Sequence, residues 1–207
     1  MPNSSVDPQL AEALGMLLGD GCISRYVSMG RTRYEVAFTG NPSEMMYYRR
    51  FLKPALERRF SVHGRLWLRD DGTVRLHFKS VRMASYLLSL NVPLGKRSDA
   101  ALPLGISGNN NLLISFIRGL YHAEGSYYHR YSKKYGGHKR VYHQEMVIQV
   151  RMKLRTLMKQ VHDALKSLGL FPTRLTAKAG VFTFRITDQH EIEKFFRLIR
   201  PRLKTSK

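Results

Sequence analysis

The spacing of hydrophobic and polar positions changes several times along the first part of the chain, and each change predicts an element. Apolar residues recur at helical spacing from Leu10 to Asp20, and the pattern stops before Gly21, a residue suited to the left-handed position that follows a helix. Residues 22–29 and 33–40 then alternate between apolar and polar side chains. We therefore predict one helix followed by two strands.

The same reasoning predicts three further segments before residue 92. Ser43 can cap a helix that runs through about Arg59, with a kink expected at Pro54. Two strands, Val62–Arg69 and Thr73–Lys79, follow around a turn, and Ser80 caps a short helix to Leu90. The order of elements in this half is αββαββα.

The second half repeats this order. It is predicted to contain helices at 112–124 and 153–168, strands at 126–132, 140–151, 173–179 and 181–186, and a last helix that starts at the capping-box-like Asp188-x-x-Glu191 and ends at Pro201. Gly169 supplies the stop of the 153–168 helix. The sequence thus predicts an α+β fold of two similar halves, residues 1–92 and 111–207, joined by a linker at 93–110 that is rich in Pro, Gly and Asn.

An internal repeat supports this division. Leu14–Ile23 is similar to Arg118–Tyr127, and the matched pairs are Gly15 with Gly119, Gly19 with Ala123, Asp20 with Glu124, and Gly21 with Gly125. Small residues one turn apart allow two helices to approach closely. If the two helices pack about a pseudo-twofold axis, Asp20 and Glu124 come together.

The acidic ends of these helices predict a chemistry. A carboxylate at a helix C-terminus is locally unfavourable, because the macrodipole is already negative there. Asp20 and Glu124 would be tolerated beside a cation, and hard oxygen ligands suit Mg²⁺ or a similar divalent ion. An Asp-Gly pair after a helix is also a common turn, but its repetition in both halves favours a metal-dependent phosphodiester-cleaving site.

Charge points to a polyanionic partner, most plausibly nucleic acid. The chain has 35 Lys and Arg against 15 Asp and Glu, a formal net charge of +20 and a pI near 10.4. Residues 1–105 carry 15 basic and 9 acidic side chains (net +6), and residues 106–207 carry 20 and 6 (net +14). The cations lie among aromatic and β-branched residues, which favours a folded basic surface over a disordered arm.

Several classes of protein are disfavoured. The single cysteine, Cys22, can form neither an internal disulfide nor a Cys-rich zinc site. No apolar stretch approaches the roughly 20 residues of a membrane span. The first residues have neither a basic nor an apolar signal region, so we expect an intracellular protein, cytoplasmic or organellar.

The predicted strands place most cations on one face of each sheet. In a period-2 reading, Val74, Leu76 and Phe78 oppose polar neighbours, and Phe182, Phe184 and Ile186 do the same in the second half. The polar faces, with the 129–140 hairpin tip, predict DNA contacts by Ser24, Tyr26, Ser28, Arg31, Arg33, Arg65, Trp67, Arg69, Arg75, His77, Lys79, Arg130, Lys133, Lys134, Arg140, Gln149, Arg151, Arg174, Thr176, Lys178, Thr183 and Arg185. An ordinary solvated face is the alternative, and a mobile solvated loop is the alternative for the hairpin.

The repeated segments resemble the paired signature helices of the LAGLIDADG homing endonucleases. Leu14-Gly-Met-Leu-Leu-Gly-Asp20-Gly21 and Ile117-Arg-Gly-Leu-Tyr-His-Ala-Glu124-Gly125 carry the resemblance, and the order of elements extends it from about residue 8 to 200. The chain is similar to the single-chain, two-motif members, in which two αββαββα halves form a saddle over DNA and the signature helices form the interface. The resemblance implies a monomeric, intron-encoded enzyme that makes a staggered double-strand break in a long, asymmetric duplex site.

The resemblance also implies roles for individual residues. Asp20 and Glu124 would be the catalytic acids, one for each strand, and the metal ions would be held by them together with Gly19 and Ala123. The metal would be Mg²⁺ or Mn²⁺, whereas Ca²⁺ would bind without supporting cleavage. Family members place a lysine or a polar amide at each strand-to-helix junction, which matches Lys153 in the second half and only Asn41 in the first. The two cleavage centres are therefore expected to be unequal.

A second class of function remains open. A non-cleaving binder of the same fold, either an intron RNA maturase or a DNA-binding regulator, would keep the repeat and the charge. The presence of both acidic residues ranks the nuclease first. His122-Ala-Glu124 imitates a zinc deaminase motif, but the chain lacks the P-C-x-x-C that completes such a site, so we expect His122 to be an interface or core residue.

Overall fold

Two four-stranded antiparallel sheets of the same topology organise the molecule. The computed structural model describes residues 5–95, 100–136 and 139–203, with only the backbone at 131–136 and 139–144. The strand orders are β1-β2-β4-β3 and β5-β6-β8-β7. The α+β class and the two similar halves that the sequence predicts are confirmed.

The first half follows the predicted order. Its elements are α1 (Pro8–Asp20), β1 (Gly21–Ser28), β2 (Arg31–Gly40), a 3-10 turn (Pro42–Glu44), α2 (Met45–Tyr47), a π turn (Tyr48–Leu52), α3 (Lys53–Phe60), β3 (Gly64–Leu68), β4 (Val74–Lys79) and α4 (Val81–Ser89). As predicted, Ser80 caps α4, because its hydroxyl accepts a hydrogen bond from the Met83 amide at 3.1 Å.

The second half repeats the arrangement. Its elements are α5 (Asn110–Glu124), β5 (Gly125–Gly136), β6 (Lys139–Met152), α6 (Arg155–Ser167), β7 (Thr176–Lys178), β8 (Val181–Ile186) and α7 (Gln189–Ile199). Asp188 caps α7 by accepting from the Glu191 amide at 3.0 Å, and Gly169 follows α6 with φ of +76°. Both predicted helix boundaries are confirmed.

The prediction of a left-handed Gly21 is wrong. Gly21 has φ of −113° and ψ of 177°, and it is the first residue of β1. A Cβ at this position would lie 2.5 Å from Leu17 Cδ1 and 2.9 Å from the Ala37 carbonyl oxygen. Glycine is needed here for close packing as the helix passes directly into the strand, and not for a left-handed turn.

The helical segment after β2 also starts differently from the prediction. It begins at Pro42 with Asn41 at the cap position, and not at Ser43, because the residue before a proline is held in the extended region (φ −80°, ψ 156° at Asn41). The irregularity expected at Pro54 takes the form of the π turn over Tyr48–Leu52, just before α3. A π turn accommodates the hydrogen bond that proline cannot donate.

Several strands differ in length from the prediction. β3 begins at Gly64 and β7 spans only Thr176–Lys178, so Arg69 and Arg174 lie outside the strands. The predicted 129–140 hairpin tip is largely strand, because β5 and β6 stay paired as far as Gly136 and Lys139.

Helices and the apolar sheet faces share one core. Val36 and Phe38 of β2 and Leu76 and Phe78 of β4 point to this core, and each is at most 1% exposed. Phe184 and Ile186 do the same on β8, where Phe184 is 1% exposed. The opposite faces of both sheets are consequently left for polar side chains.

The packing of α1 against α5 joins the halves, as the repeat predicts. A Cβ at Gly15 would lie 2.1 Å from the Phe116 carbonyl oxygen, and a Cβ at Gly119 would lie 1.9 Å from the Glu12 carbonyl oxygen. Because these contacts are to backbone atoms, neither position has room for a side chain. Only glycine permits the observed approach of the two helices.

A buried carboxylate reinforces this interface. Glu12 of α1 is 1% exposed, and it accepts hydrogen bonds from the Tyr47 hydroxyl (3.0 Å), Arg118 Nη1 (3.1 Å) and Arg202 Nε (3.2 Å). His122 Nε2 accepts from the Arg202 amide at 2.9 Å, so the ring proton sits on Nδ1 in the neutral form. His122 is fully buried between α1 and the segment after α7, as an interface residue should be.

Gly119→Ala tests the close approach of the helices. Alanine would normally stabilise a helix interior by about 1 kcal/mol relative to glycine. At Gly119 we expect the opposite sign, a loss of about 1–3 kcal/mol in the free energy of unfolding, because Cβ overlaps the Glu12 carbonyl oxygen. Urea unfolding measures the change, with Ser85→Ala on the exposed side of α4 as the control, for which no loss is expected. A Gly119→Ala protein as stable as the wild type would contradict the packing.

Candidate nucleic-acid interface and cleavage centre

The two acidic helix ends lie side by side. Asp20 is the last residue of α1 and Glu124 is the last residue of α5, and both are half-buried. A Cβ at Gly19 would lie 2.2 Å from Ala123 Cβ and 3.3 Å from Glu124 Cγ. The structure therefore brings the two acidic helix ends together, with Gly19 against Ala123.

Buried polar groups surround Asp20. The Tyr48 hydroxyl donates to the Thr39 carbonyl oxygen at 2.9 Å, and burial, followed by the negative charges of Glu44 and Asp20, raises the pKa of Tyr48 far above its ordinary value. Glu44 is itself 5% exposed, and its Oε2 accepts from the Asn41 amide at 3.2 Å. Negative charge is thus concentrated at the end of α1, which favours a cation there.

The donor set fits a hard divalent ion. Each of the two adjacent helices ends in a carboxylate residue, and the free carbonyl groups at each helix end carry partial negative charge. Across the described ranges no group of three or more His, Cys, Asp or Glu is placed to hold a metal ion. The metal-binding prediction therefore depends on the paired acids and on backbone oxygens such as those of Gly19 and Ala123.

The predicted junction residues lie at matching places in the two halves. Asn41 lies between β2 and the 3-10 turn, and Lys153 lies between β6 and α6, each at the end of a central strand. Both residues are exposed. The first half therefore has the neutral amide of Asn41 where the second half has the cation of Lys153. This difference is consistent with the prediction that the two centres are unequal.

The polar face of the first sheet collects the predicted DNA contacts. Cross-strand partners on this face include Tyr26 with Arg33, Ser28 with Arg31, Arg65 with His77, and Trp67 with Arg75, while Ser24 and Lys79 each pair with Glu35. Directly paired residues share a face, so the strand residues predicted for this half all lie on one surface. Arg69 is in the turn after β3, where Nη1 lies 3.2 Å from Asp71 Oδ2.

The sequence reasoning missed Glu35, at the centre of this face. Its Oε1 lies 2.6 Å from Arg75 Nη2, and its Oε2 lies 3.2 Å from His77 Nδ1. Burial alone would raise the pKa of Glu35, but the Arg75 hydrogen bond and the charges of His77 and Arg75 bring the pKa below its ordinary value. The alternation of β2 places Glu35 on the polar face, but the strand register pairs it with Ser24 and Lys79, so only the side-chain contacts identify Arg75 and His77 as its partners.

The second sheet carries a corresponding surface with different pairings. Gln149 faces Arg185 across the strands, Arg151 faces Thr183, and Thr176 also pairs with Thr183. Arg185 Nε donates to Gln149 Oε1 at 2.9 Å, and the Tyr128 hydroxyl donates to the same oxygen at 3.2 Å. These side chains form the polar face opposite Phe184.

The remaining predicted contacts lie at the margins of the second sheet. Arg130, Arg174 and Lys178 are exposed, and Arg174 precedes β7. The side chains of Lys133, Lys134 and Arg140 lie outside the described residues, so their contacts stay predictions.

Comparisons with known proteins give the same picture. Residues 111–200 match the LAGLIDADG-like domain. I-DmoI in complex with DNA and Mn has a TM-score of 0.68 at 19% identity, with 99% of this chain and 99% of that chain covered. The LAGLIDADG meganuclease I-AabMI bound to uncleaved DNA has a TM-score of 0.61 at 15% identity, with 93% of this chain and 83% of that chain covered. No curated protein matches the sequence.

Residues 111–200 are therefore a LAGLIDADG-like domain, and the whole chain has the two-half fold of the LAGLIDADG homing endonucleases. The family resemblance predicted from the sequence is confirmed. Over nearly its full length, the chain is similar in fold to the homing endonuclease I-DmoI. None of the helices in the described ranges is long and apolar enough to cross a membrane.

The lowered pKa of Glu35 predicts a pH dependence of stability. A carboxyl group whose folded pKa lies below its ordinary 4.5 contributes stability above that pH and loses it as the pH falls through the folded value. Glu35→Gln should therefore be less stable than the wild type near neutral pH, by less than about 1 kcal/mol because solvent screens the pair. The difference should close as the pH falls from neutral to below 4.5 and through the lowered pKa of Glu35. Urea unfolding across this range measures it, and a difference independent of pH would contradict the ion pair.

Proposed function

We propose that the chain is a site-specific homing endonuclease that makes a divalent-metal-dependent, staggered double-strand break in a long DNA target. The observation that supports this proposal is the contact of Gly19 with Ala123, which brings together the ends of α1 and α5 where each helix passes into the first strand of its sheet. A polyanion on those faces would be repelled by the two carboxylates unless a cation lay between them. I-DmoI has been crystallised with DNA together with Mn or Ca, which supports the same combination here.

The residues of the chain have separate tasks in this proposal. Asp20 and Glu124, with the carbonyl ends of α1 and α5, would hold Mg²⁺ or Mn²⁺. The metal, when bound, supplies Lewis-acid activation of water and charge stabilisation. Lys153 orients a water or offsets developing negative charge in one centre, and Asn41 offers only a neutral amide in the other. No Ser, Cys or His nucleophile is required.

The sheet faces supply binding. Each half, residues 1–92 and 111–207 about the 93–110 linker, contributes one carboxylate and one polar sheet face, so a single chain can address both strands of a duplex. The net charge of +20 favours release of counterions from the phosphate backbone. We therefore propose a monomer that binds an asymmetric site.

Neutralising the paired acids tests the proposal. We expect Asp20→Asn and Glu124→Gln each to reduce double-strand cleavage about 100-fold or more while leaving DNA affinity largely intact, because the carboxylates hold metal and do not contact bases. A duplex library cleaved in Mg²⁺ or Mn²⁺ and recovered by sequencing supplies the substrate. Gel shifts measure affinity, and Asp70→Asn in an exposed turn is the charge-matched control.

Two results would overturn this assignment. Full activity in both variants would remove the metal-binding role of the acids. Tight binding of duplex or intron RNA by the wild type without cleavage in either metal would identify a non-cleaving binder of the same fold.

The unequal junctions predict an order of strand cleavage. Because one centre has Lys153 and the other has Asn41, we expect nicked plasmid to accumulate before linear plasmid. Asn41→Lys should shorten the life of the nicked form by supplying the missing cation. A time course on supercoiled plasmid carrying the selected site measures both forms, and strictly concerted cutting by the wild type would contradict the inequality.

A further inference from the structure

Five side chains on the first sheet form one connected network. Arg75 Nη2 lies 2.6 Å from Glu35 Oε1, and His77 Nδ1 lies 3.2 Å from Glu35 Oε2. The His77 ring meets the edge of Trp67 with 4.9 Å between centroids, and the Arg65 guanidinium lies 5.3 Å from the Trp67 ring centroid. The network crosses β2, β4 and β3, and its contacts join Arg75 and His77 to Glu35, and Trp67 to His77, across neighbouring strands.

The network lies at the end of the sheet nearest to the candidate cleavage centre. Arg75 pairs with Thr39 of β2. Phe38, which directly precedes Thr39, pairs with Gly21 of β1. Gly21 directly follows Asp20. A duplex lying on this face would therefore present to Arg75 the base pairs close to the scissile phosphates.

The charge of Glu35 is costly on a surface that binds a polyanion. A carboxylate repels phosphates, and by pairing with Arg75 and His77 it diverts two donors from phosphate contact. The pairing orients the Arg75 guanidinium, because a carboxylate bound to one edge of the guanidinium restricts its rotamers before the ligand binds. The Arg75 side chain remains 29% exposed, whereas Glu35 is 16% exposed, so the arginine keeps an accessible edge.

The second sheet has no such device at the matching positions. Because Gly21 pairs with Phe38 and Gly125 with Val150, the register matches Glu35 with Val147, Arg75 with Thr183, and His77 with Arg185. Val147 is fully buried and Thr183 is neutral. The carboxylate-held arginine therefore belongs to the first half and does not follow from the shared fold.

We propose that Glu35 is a positioning residue that holds Arg75 for recognition of guanine at the base pairs nearest to the cleavage centre. Arginine reads the O6 and N7 atoms of guanine through two parallel hydrogen bonds, which requires a fixed guanidinium plane. A phosphate contact would need no fixed plane and would be weakened by Glu35. The inference rests on the proposed binding of duplex DNA, but it does not require cleavage.

The test compares the sequence preferences of matched variants. Wild type, Glu35→Gln, Arg75→Lys and Asp70→Asn each select bound members from a randomised duplex library in EDTA, and the wild type also selects cleaved members in Mg²⁺. Asp70→Asn removes the same charge from the same half without touching the network. Thermal unfolding establishes that each variant is folded.

We expect the wild type to prefer guanine at one or two positions beside the cleavage centre. Glu35→Gln should reduce that preference about tenfold, within the range of one good bidentate contact, while binding to random duplex stays equal or becomes tighter. Arg75→Lys should relax the same positions, because lysine keeps the charge but not the planar fork. Asp70→Asn should leave the profile unchanged.

The outcomes separate this inference from the proposed nuclease activity. Unchanged preferences in folded Glu35→Gln would overturn it, as would a wild type without a guanine preference at those positions. If Glu35→Gln does not fold, the same decision rests on Arg75→Lys, for which a retained preference overturns the inference. If the sequence preference of the bound duplexes changes in Glu35→Gln but the wild type cleaves no library member, the result would support this inference and contradict the proposed nuclease activity.

Discussion

The contact between the backbones of α1 and α5 is the constraint on which the rest of the molecule depends. Gly15 and Gly119 leave no room for a Cβ, since each would overlap a carbonyl oxygen of the opposite helix. This close approach fixes the positions of the two helix ends relative to each other. It therefore also fixes how far apart Asp20 and Glu124 lie at the junction of the halves. The strands start directly at Gly21 and Gly125, so the orientation of each sheet is set by the same crossing. Site geometry and domain arrangement are therefore a single property of this chain.

A buried ionic network around Glu12 complements that contact on the side nearer the start of α1. Glu12 joins Tyr47 of its own half to Arg118 and Arg202 of the other, and Arg202 also lies 4.2 Å from the Phe51 ring centroid. Buried ion pairs are weak evidence for stability, because desolvation of the charges offsets their attraction. They do constrain the geometry strongly, because a shift of one helix would leave the buried Glu12 carboxylate without its hydrogen-bond partners. Close glycine packing thus holds the helices together, while the Glu12 network favours one register between them.

The sequence was informative wherever the interactions are local or repeated. Helix caps at Ser80 and Asp188, the stop at Gly169 and the alternation of β4 are determined by neighbours in the chain, and all are found as predicted. The repeat added one non-local contact, because small residues at matched positions of two helices have few other uses. Pairings between distant residues were not predictable: Arg202 meets Glu12 across 190 residues, and Glu35 meets Arg75 although the strand register pairs Glu35 with Lys79. Gly21 shows a further limit, because a glycine required for packing and one required for a left-handed turn look the same in a sequence.

The two halves differ more in electrostatics than in architecture. Residues 106–207 carry a net +14 against +6 for residues 1–105, and the second sheet pairs Arg185 with the neutral Gln149, whereas the first pairs Arg75 with Glu35. Unpaired cations lower the free energy of any bound duplex in a salt-dependent way, and they carry no information about its sequence. A cation held by a carboxylate contributes less to general affinity, but its geometry is defined before binding. One backbone arrangement can therefore place affinity mainly in one half and discrimination mainly in the other. A single chain can diverge in this way, whereas a symmetric dimer of one half would have to change both surfaces together.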